Sequence, residues 1–199
     1  MNASALTYPV EVRCKDGVAS VRPMQASDQA AVVAFARGFP SHDLLFLRRD
    51  ITQHAVVAQW LDEQATAALS TLLATRGDKV LGVAIIIHGE ALWSPHVGEL
   101  LVLIAPASRG NGLGRQLMQQ AFKLALSMDI EKIVAQMTTD QRGAIEVFEN
   151  LGFRAEALLR DHVKDRDGSK HDLVILSHDV AKFDSQHAAY GVPEALEPS

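Results

Sequence analysis

A glycine-rich turn before a helical pattern is the stretch whose residue types and spacing point most directly to chemistry. In "APASRGNGLGRQLMQQAF", residues 105–122, Gly110, Gly112 and Gly114 alternate with other residues after an apolar strand pattern. Glycines carry no Cβ atom, so an anion can approach the unpaired N–H groups at the positive end of the helix dipole. The stretch therefore predicts an anion site, most naturally one for a phosphate.

Two common phosphate-binding designs do not fit this turn. A P-loop needs Gly-Lys-Ser/Thr after its glycines, but Gly114 is followed by Arg115 and Gln116. A dinucleotide-binding fingerprint needs a wider spacing before its third glycine and an acidic residue at the end of the next strand, whereas Glu131 lies at the start of that strand. The pattern that remains is Arg-x-x-Gly-x-Gly, beginning at Arg109.

The segments around the turn alternate between strand and helix patterns. A hairpin at Asp16-Gly17 and two helices come first, and three apolar strands follow in succession. The second helix is predicted from about Asp50 to Leu69. After the glycine turn come a helix with one buried stripe, the strand "KIVAQM", a short helix and a final hairpin. This order predicts one domain that contains both helices and strands.

The short helix carries signals at both of its ends. Thr138 and Gln141 have the spacing of a capping box. Gly152 stands where a left-handed residue would close the helix. These signals predict a helix that ends at Gly152.

Composition and charge narrow the class of partner. With 199 residues the chain favours a single core, and we predict one domain over residues 1–180 and a flexible tail over residues 181–199. A formal net charge of -5 argues against a nucleic-acid or anionic-membrane surface, because both need a cationic patch. Cys14 is the only cysteine, and we find neither a signal peptide nor a long apolar run, so we expect a cytoplasmic protein.

Two motifs in the expected order resemble the GNAT superfamily of N-acetyltransferases. Its pyrophosphate loop has the pattern Gln/Arg-x-x-Gly-x-Gly/Ala after a strand and a proline, as "LVLIAP" precedes Arg109 here. The segment "GAIEVFENLGF", residues 143–153, is similar to the superfamily's later helix with its Leu-Gly-Phe ending. The resemblance covers Val18 to Val180 and implies an α/β (α+β) fold. That fold has a mixed, mostly antiparallel central sheet of six to seven strands, about four helices and a splayed parallel central strand pair.

The resemblance implies acetyl-CoA, or a related acyl-CoA, as co-substrate and an amine as acceptor, carried by a small molecule or by a protein. The strand backbone at Val102 and Ile104 would hydrogen-bond the pantetheine amides. The residues whose backbone would wrap the pyrophosphate are Arg109, Gly110, Asn111, Gly112, Leu113, Gly114 and Arg115. A homodimer is left open.

Two positions depart from the family pattern. Gln141 matches a cofactor-contacting asparagine, and Phe148 matches a tyrosine that protonates the leaving thiolate in many members. A thiol pKa of about 8.5 lets solvent protonate that group, so the missing tyrosine does not exclude catalysis. It leaves open a non-catalytic protein that binds or senses acyl-CoA.

Glu99 is the predicted general base. A protonated amine must lose a proton before it attacks a thioester, and a carboxylate on the strand beside the acyl site could accept it through water. Strand alternation puts Glu99, Leu101 and Leu103 on one face, unless a bulge before Ile104 reverses it.

No metal site is predicted, and no motif names the acceptor. The His-Asp pairs near the C-terminus each consist of adjacent residues, which point to opposite faces of a strand. The acceptor site should be built from residues 39–49 and 89–96. Aromatic and histidine side chains that could shape it are Phe46, Trp60, Trp93 and His96, with helix core as the default role of Trp60.

Overall fold

A computed structural model of the chain describes residues 6–44, 47, 49–65, 69–88, 93–165 and 167–180. The described residues form four α-helices: α1 (Gln29–Arg37), α2 (His54–Ala65), α3 (Leu113–Leu126) and α4 (Arg142–Asn150). They form eight strands: β1 (Val10–Cys14), β2 (Gly17–Pro23), β3 (Leu69–Arg76), β4 (Lys79–His88), β5 (Val97–Ile104), β6 (Lys132–Thr138), β7 (Arg154–Lys164) and β8 (Lys170–Asp179). Short 3-10 turns occupy Ala26–Asp28, Ser41–Leu44 and Pro106–Ser108.

The described strands join one sheet in the order β1-β2-β3-β4-β5-β6-β8-β7. Neighbours are antiparallel, except that β5 and β6 run parallel. The predicted mixed, mostly antiparallel fold with a parallel central pair is therefore confirmed. The eight described strands exceed the six to seven predicted, because the hairpins β1–β2 and β7–β8 both extend the same sheet.

Helices cover both faces of the sheet. On one face, α1 and α2 pack on a cluster that includes Trp60, and we name this the α1–α2 face. On the other, α3 and α4 pack on a cluster that includes Phe122 and Phe148, the α3–α4 face. Because strand side chains alternate, β5 sends Leu101 to the first face and Val102 to the second. This strand therefore contributes to both halves of the molecule.

The second helix is shorter than predicted at both ends. It begins at His54, since the carboxylate of Asp50 accepts hydrogen bonds from the backbone N–H of Thr52 at 3.1 Å and from its hydroxyl at 2.5 Å. Such a local turn competes with helix formation. At the other end, Leu69 opens β3 and pairs with Ile87 of β4. The apolar run before Gly77 belongs to a central strand and not to the helix.

The ends of α4 agree with the sequence at one side only. Gly152 has φ +96, which confirms the left-handed residue predicted after the helix. The predicted capping box is wrong, because Thr138 is the last residue of β6 and is fully buried. Gln141 alone occupies the N-cap position, directly before Arg142.

Some predictions fall on other parts of the chain. The predicted tail, residues 181–199, and Phe46 lie outside the described residues. Of the helices that the structure describes, none is both long and apolar enough to cross a bilayer.

Candidate functional site

The parallel strands β5 and β6 separate soon after they begin. They pair at Val97 with Lys132 and as far as Glu99 with Val134. Beyond Glu99, β5 stays paired with β4 and β6 stays paired with β8. A cleft with about 500 Å³ of empty space, open solvent at its mouth included, lies between them, and we name it the splay cleft. The predicted splay of the central pair is present.

The backbone of β5 presents hydrogen-bonding groups to the splay cleft. The N–H of Ala105 donates to the carbonyl of Leu81, near the start of β4, at 2.9 Å. It therefore points toward β4 and away from the cleft. Since the direction of the polar groups alternates along a strand, those of Val102 and Ile104 point the other way, toward β6. These two residues are the ones predicted to pair with an extended cofactor arm.

The glycine turn adopts the backbone conformation that its composition predicts. Gly110 has φ +72 and Gly112 has φ +91, both in the region that favours glycine. A Cβ atom added at either position would meet no described atom within 4 Å, so the space beside both glycines is open. At Gly114 an added Cβ would lie 3.5 Å from Cγ1 of Ile104, which shows that α3 starts close to the end of β5.

Asn111 holds the turn in place. Its side chain is buried, and Oδ1 accepts a hydrogen bond from the N–H of Leu113 at 3.0 Å. Its backbone carbonyl accepts from the N–H of Lys15 in the β1–β2 hairpin at 2.9 Å. In that hairpin, a hydrogen bond from Arg76 is the main cause that lowers the pKa of Asp16, and a bond with Asn111 adds to it. Asn111 therefore joins the glycine turn both to the start of α3 and to the β1–β2 hairpin.

The side chain of Arg109 links the turn to the α1–α2 face. Nε donates to the carbonyl of Ile104 at 3.1 Å, and Nη2 forms an ion pair with the carboxylate of Asp43 in the 3-10 turn Ser41–Leu44. The guanidinium lies 5.7 Å from the centre of the Phe39 ring, within cation–π range. A carbonyl oxygen has two lone pairs, so Ile104 keeps one acceptor position for a ligand.

Gln141 and Phe148, the two positions that depart from the family pattern, lie along the splay cleft. Both line it, together with Val102 and Asp43. Gln141 is half-buried at the start of α4. Phe148 is buried, and its ring meets that of Phe153 edge to face, with centroids 4.9 Å apart. The cleft wall is therefore apolar where the family pattern has a phenol.

Glu99 lies at the point where the two strands separate. It is half-buried and pairs with Ile87 on β4 and with Val134 on β6. The register between β4 and β5 runs without a shift from Gly98 to Ile104, so the bulge that would have reversed its direction is absent there. Glu99 therefore shares the α1–α2 face with Leu101.

A second cavity on the α1–α2 face was not predicted as a pocket. It lies beneath α2 and has about 640 Å³ of empty space, open solvent at its mouth included, and we name it the α2 pocket. Its lining residues are Leu47, Arg49, Ile51, Val56, Trp60, Glu63, Leu69, Ile85, Ile87 and Leu101. Leu47 and Leu101 also line the splay cleft, so the two cavities are adjacent there. The spacing of Val56, Trp60 and Glu63 was a helical stripe in the sequence that could have indicated this wall.

The remaining aromatic and histidine candidates are spread over the molecule. Trp60 is buried, and its indole N–H donates to the hydroxyl of Thr71 at 3.0 Å, so it serves both as core and as pocket wall. Trp93 is 85% exposed and His96 is exposed, and neither lines the α2 pocket or the splay cleft. His171 of the final hairpin instead bonds the carboxylate of Asp165 at 2.7 Å.

Comparison with known proteins decides the family. The model of "Acetyltransferase (GNAT) family" matches residues 41–153, more than half of the chain. The chain belongs to this family. The resemblance inferred from the two motifs is thereby confirmed, as is the prediction that the chain is of an acetyltransferase class.

One curated relative and many solved structures are similar to this GNAT chain. "Putative phosphinothricin acetyltransferase YwnH" from Bacillus subtilis (strain 168) is 31% identical over 83 residues, which are 42% of this chain and 50% of that protein. The chain thus spans about half the length of that curated relative.

Two solved structures show the shared fold. The acetyltransferase of GNAT family from Streptococcus pneumoniae has a TM-score of 0.69 at 23% identity, over 80% of this chain and 98% of that one. The Salmonella typhimurium protein yncA, a "putative ACETYLTRANSFERASE" solved "with its cofactor Acetyl-CoA", has a TM-score of 0.71 at 19% identity, over 91% of this chain and 98% of that one.

The geometry of the GNAT site fits an acyl-CoA. The N–H of Leu113 donates to Asn111, whereas those of Gly114 and Arg115, in the same first turn of α3, have no acceptor inside their own helix. This turn directly follows the open space at Gly110 and Gly112. Arg115 in that turn is exposed and can reach a phosphate. The open edge at Val102 and Ile104 offers both a donor and an acceptor to an arm that carries amides.

Proposed function

We propose that the protein transfers an acetyl group from acetyl-CoA to an amine by direct attack within a ternary complex. The observation that carries the proposal is that two cavities lie side by side and share Leu47 and Leu101 as lining residues. One cavity is the splay cleft between β5 and β6, and the other is a separate pocket under α2. Two substrates could therefore meet at β5 without an intermediate carried by the enzyme.

Binding and orientation of the acyl donor are assigned to the backbone. The first turn of α3 and Arg115 would hold the pyrophosphate, and the edge of β5 at Val102 and Ile104 would hold the arm in line with the strand. When bound, acetyl-CoA supplies a thioester carbonyl for attack and a thiolate as leaving group. Gln141 and Phe148 would flank that group in the splay cleft.

Glu99 is proposed to remove the proton from the incoming amine. An alkyl amine is mostly protonated at neutral pH, so its nitrogen cannot attack until a base takes a proton. Glu99 lies on the face that carries the α2 pocket, two residues before Leu101, which lines both cavities, although Glu99 itself is in the described lining of neither. Its carboxylate would accept the proton through a water molecule and return it to solvent.

The leaving thiolate takes its proton from solvent in this proposal. Phe148 has no proton to give, and a thiolate whose conjugate acid has a pKa of about 8.5 needs little help. The same residue is the one observation that favours the second candidate, a non-catalytic protein that binds or senses acyl-CoA. Tight acetyl-CoA binding with no amine that raises thiol release above background would establish that candidate and refute the enzyme.

The proposal is tested by following thiol release from acetyl-CoA against a panel of amines. We expect release that saturates with acceptor concentration, and no acetylated protein by intact mass when acetyl-CoA is added alone. Cys14 is half-buried at the end of β1, and burial raises the pKa of its thiol, which makes it a poor nucleophile. An acetylated protein that forms in a burst and is consumed on adding amine would contradict direct attack.

A further inference from the structure

We propose that the acceptor is a primary amine attached to an apolar body of about the size of an aromatic or branched side chain, and that the α2 pocket holds this body. The inference rests on the proposed function, since it names the second substrate of the same site. The argument uses three features of the pocket: its walls, its charges and its position relative to β5.

Most of the side chains that line the α2 pocket are apolar, and the exceptions are Arg49 and Glu63. Helix α2 contributes Val56 and Trp60, and β4 contributes Ile85 and Ile87. Ile51 closes the wall on the side before the helix. Polar groups of a ligand placed among these side chains would lose their hydrogen bonds to water and gain none. An apolar body would instead leave water at no such loss.

The charged side chains of the pocket are already paired. Arg49 Nη1 lies 2.7 Å from Glu63 Oε1, and these are the only ionisable residues in the lining described for this pocket. The pair sums to zero charge. A polyamine would need a carboxylate for each additional ammonium group, and Glu63 is neutralised by Arg49. The lining therefore disfavours a polycation.

The position of the pocket fixes the orientation of the acceptor. Leu101 lies opposite Ile85 in the β4–β5 pairing, and Glu99 lies opposite Ile87. The apolar body would rest on the two isoleucines while the amino group points to Leu101, which lines both the pocket and the splay cleft. The proposed base lies on the same face of β5, opposite Ile87.

The first test is a series of amines with wild-type protein. In an apolar pocket each methylene that fits is worth about 10-fold or more in kcat/KM. We expect kcat/KM to rise about 1,000-fold from ethylamine to isoamylamine, which has three more carbons, and to rise further for 2-phenylethylamine. Ethanolamine and spermidine should be poorer than isoamylamine. A preference for spermidine or ethanolamine over 2-phenylethylamine would overturn the inference while leaving amine acetylation intact.

The second test fills the pocket. Val56 is half-buried on α2 and lines the cavity, so Val56→Phe should occupy it without disturbing the core. We expect kcat/KM for 2-phenylethylamine to fall about 10-fold, that for ethylamine to change less than about 2-fold, and the Kd of CoA to stay the same. The control is Ala55→Phe, which adds a ring at an exposed position of the same helix outside the pocket lining. Equal effects of the two variants would contradict the inference.

A binding measurement separates this inference from the proposed function. Calorimetry of 2-phenylethylamine with the CoA-saturated protein needs no turnover. Binding that Val56→Phe weakens, without thiol release in the assay, would support the pocket assignment and refute the enzyme. Thiol release from other amines, with no binding of 2-phenylethylamine, would refute the pocket assignment alone.

Discussion

The two halves of the site are assembled in different ways. The glycine turn comes from consecutive residues, 109–115, whereas the α2 pocket collects side chains from α2, the loop before it and three strands. In the turn, the proposed binding of acyl-CoA would depend on backbone N–H groups and on the positive φ angles at Gly110 and Gly112. In the pocket, the proposed binding of the acceptor would depend on the volume and polarity of side chains that meet only after folding. The first half depends on conformation and the second on packing.

The same contrast appears in how each half is held. Asn111 fastens the turn through hydrogen bonds to Leu113 and Lys15, and Arg109 ties it to the end of β5. The α2 pocket is held by apolar packing and by one ion pair at its border, between Arg49 and Glu63. We name the glycine turn the cofactor half of the proposed site and the α2 pocket its acceptor half. Small changes of backbone conformation should therefore damage the cofactor half, and changes of side-chain volume should damage the acceptor half.

The largest effect is expected from removing the carboxylate of Glu99 on β5, the strand between the two halves of the site. General-base catalysis contributes about 100- to 10,000-fold, so Glu99→Gln should lower kcat/KM at least about 100-fold and leave the Kd of CoA unchanged. The loss should be greatest at low pH, where the amine is most fully protonated. Steady-state kinetics over a range of pH, with calorimetry for CoA, measure both quantities.

Glu131→Gln is the matched control for that experiment. Glu131 is exposed just before β6, and no role in binding or catalysis is assigned to it. It should retain wild-type kcat/KM. If Glu99→Gln shows an unaltered pH–rate profile, Glu99 is not the base, and the acceptor half contributes binding alone.

The next effect tests the backbone of the cofactor half. Gly112→Ala should weaken CoA binding about 30-fold, or about 2 kcal/mol, because an added methyl group strains φ +91 and points into the open space assigned to the pyrophosphate. Calorimetry with CoA measures it. The control is Gly168→Ala, at φ +93 in the β7–β8 hairpin, which carries similar strain away from the site. Equal CoA affinity in the two variants would show that the glycine turn does not bind the pyrophosphate of CoA.

The glycine turn could be predicted from the sequence, whereas the α2 pocket could not. Positive φ at Gly110 and Gly112 is a local requirement, so the residues themselves report it. The wall made by Val56 requires that α2 lie across β4, which is a tertiary contact without a motif of its own. The capping box at Thr138 was wrong for a related reason: pairing with β8 extends β6 through that residue.

Two titratable side chains, one on each face of the sheet, should make the stability of the fold depend on pH. On the α3–α4 face, His178 stacks on Phe122 with ring centroids 5.4 Å apart, and burial lowers its pKa. On the α1–α2 face, Asp28 accepts two bonds from Arg22 at 2.7 Å each, and these are the main cause that lowers its pKa. Each of these two side chains should therefore lose its contribution to the free energy of unfolding in its own range of pH.

The signs follow from which form each native side chain prefers. Native His178 prefers to be neutral, so its contribution is present above the unfolded pKa of about 6.5 and falls as pH drops below that value. Native Asp28 prefers to be charged, so its contribution is present above about pH 3.9 and is lost as pH falls through its lowered native pKa. The first loss comes at milder acidity than the second.

Urea unfolding at several pH values tests this order. His178→Phe should flatten the dependence of the unfolding free energy on pH just below 6.5, and leave the more acidic region unchanged. Asp28→Asn should cost about 2 kcal/mol at neutral pH, because it weakens charge-assisted hydrogen bonds of a buried carboxylate. If His178→Phe left the slope below pH 6.5 unchanged, burial of His178 would not govern that region.

The smallest effect concerns the wall of the splay cleft. Phe148→Tyr restores the phenol of the family pattern, and we expect kcat to rise about 2- to 5-fold with the Kd of CoA unchanged, since a thiolate gains only modestly from a proton donor. Thermal unfolding is measured beside the kinetics, because Phe148 is buried and contacts Phe153. An unchanged Tm would place the new hydroxyl in the cleft, whereas a hydroxyl buried without a partner would cost about 1–3 kcal/mol.

With Tm unchanged, a gain that disappears above the tyrosine pKa of about 10 identifies the phenol as the proton donor. An unchanged kcat at the same Tm would mean that protonation of the thiol does not limit turnover. The acceptor half, through Glu99 and the α2 pocket, would then set the rate.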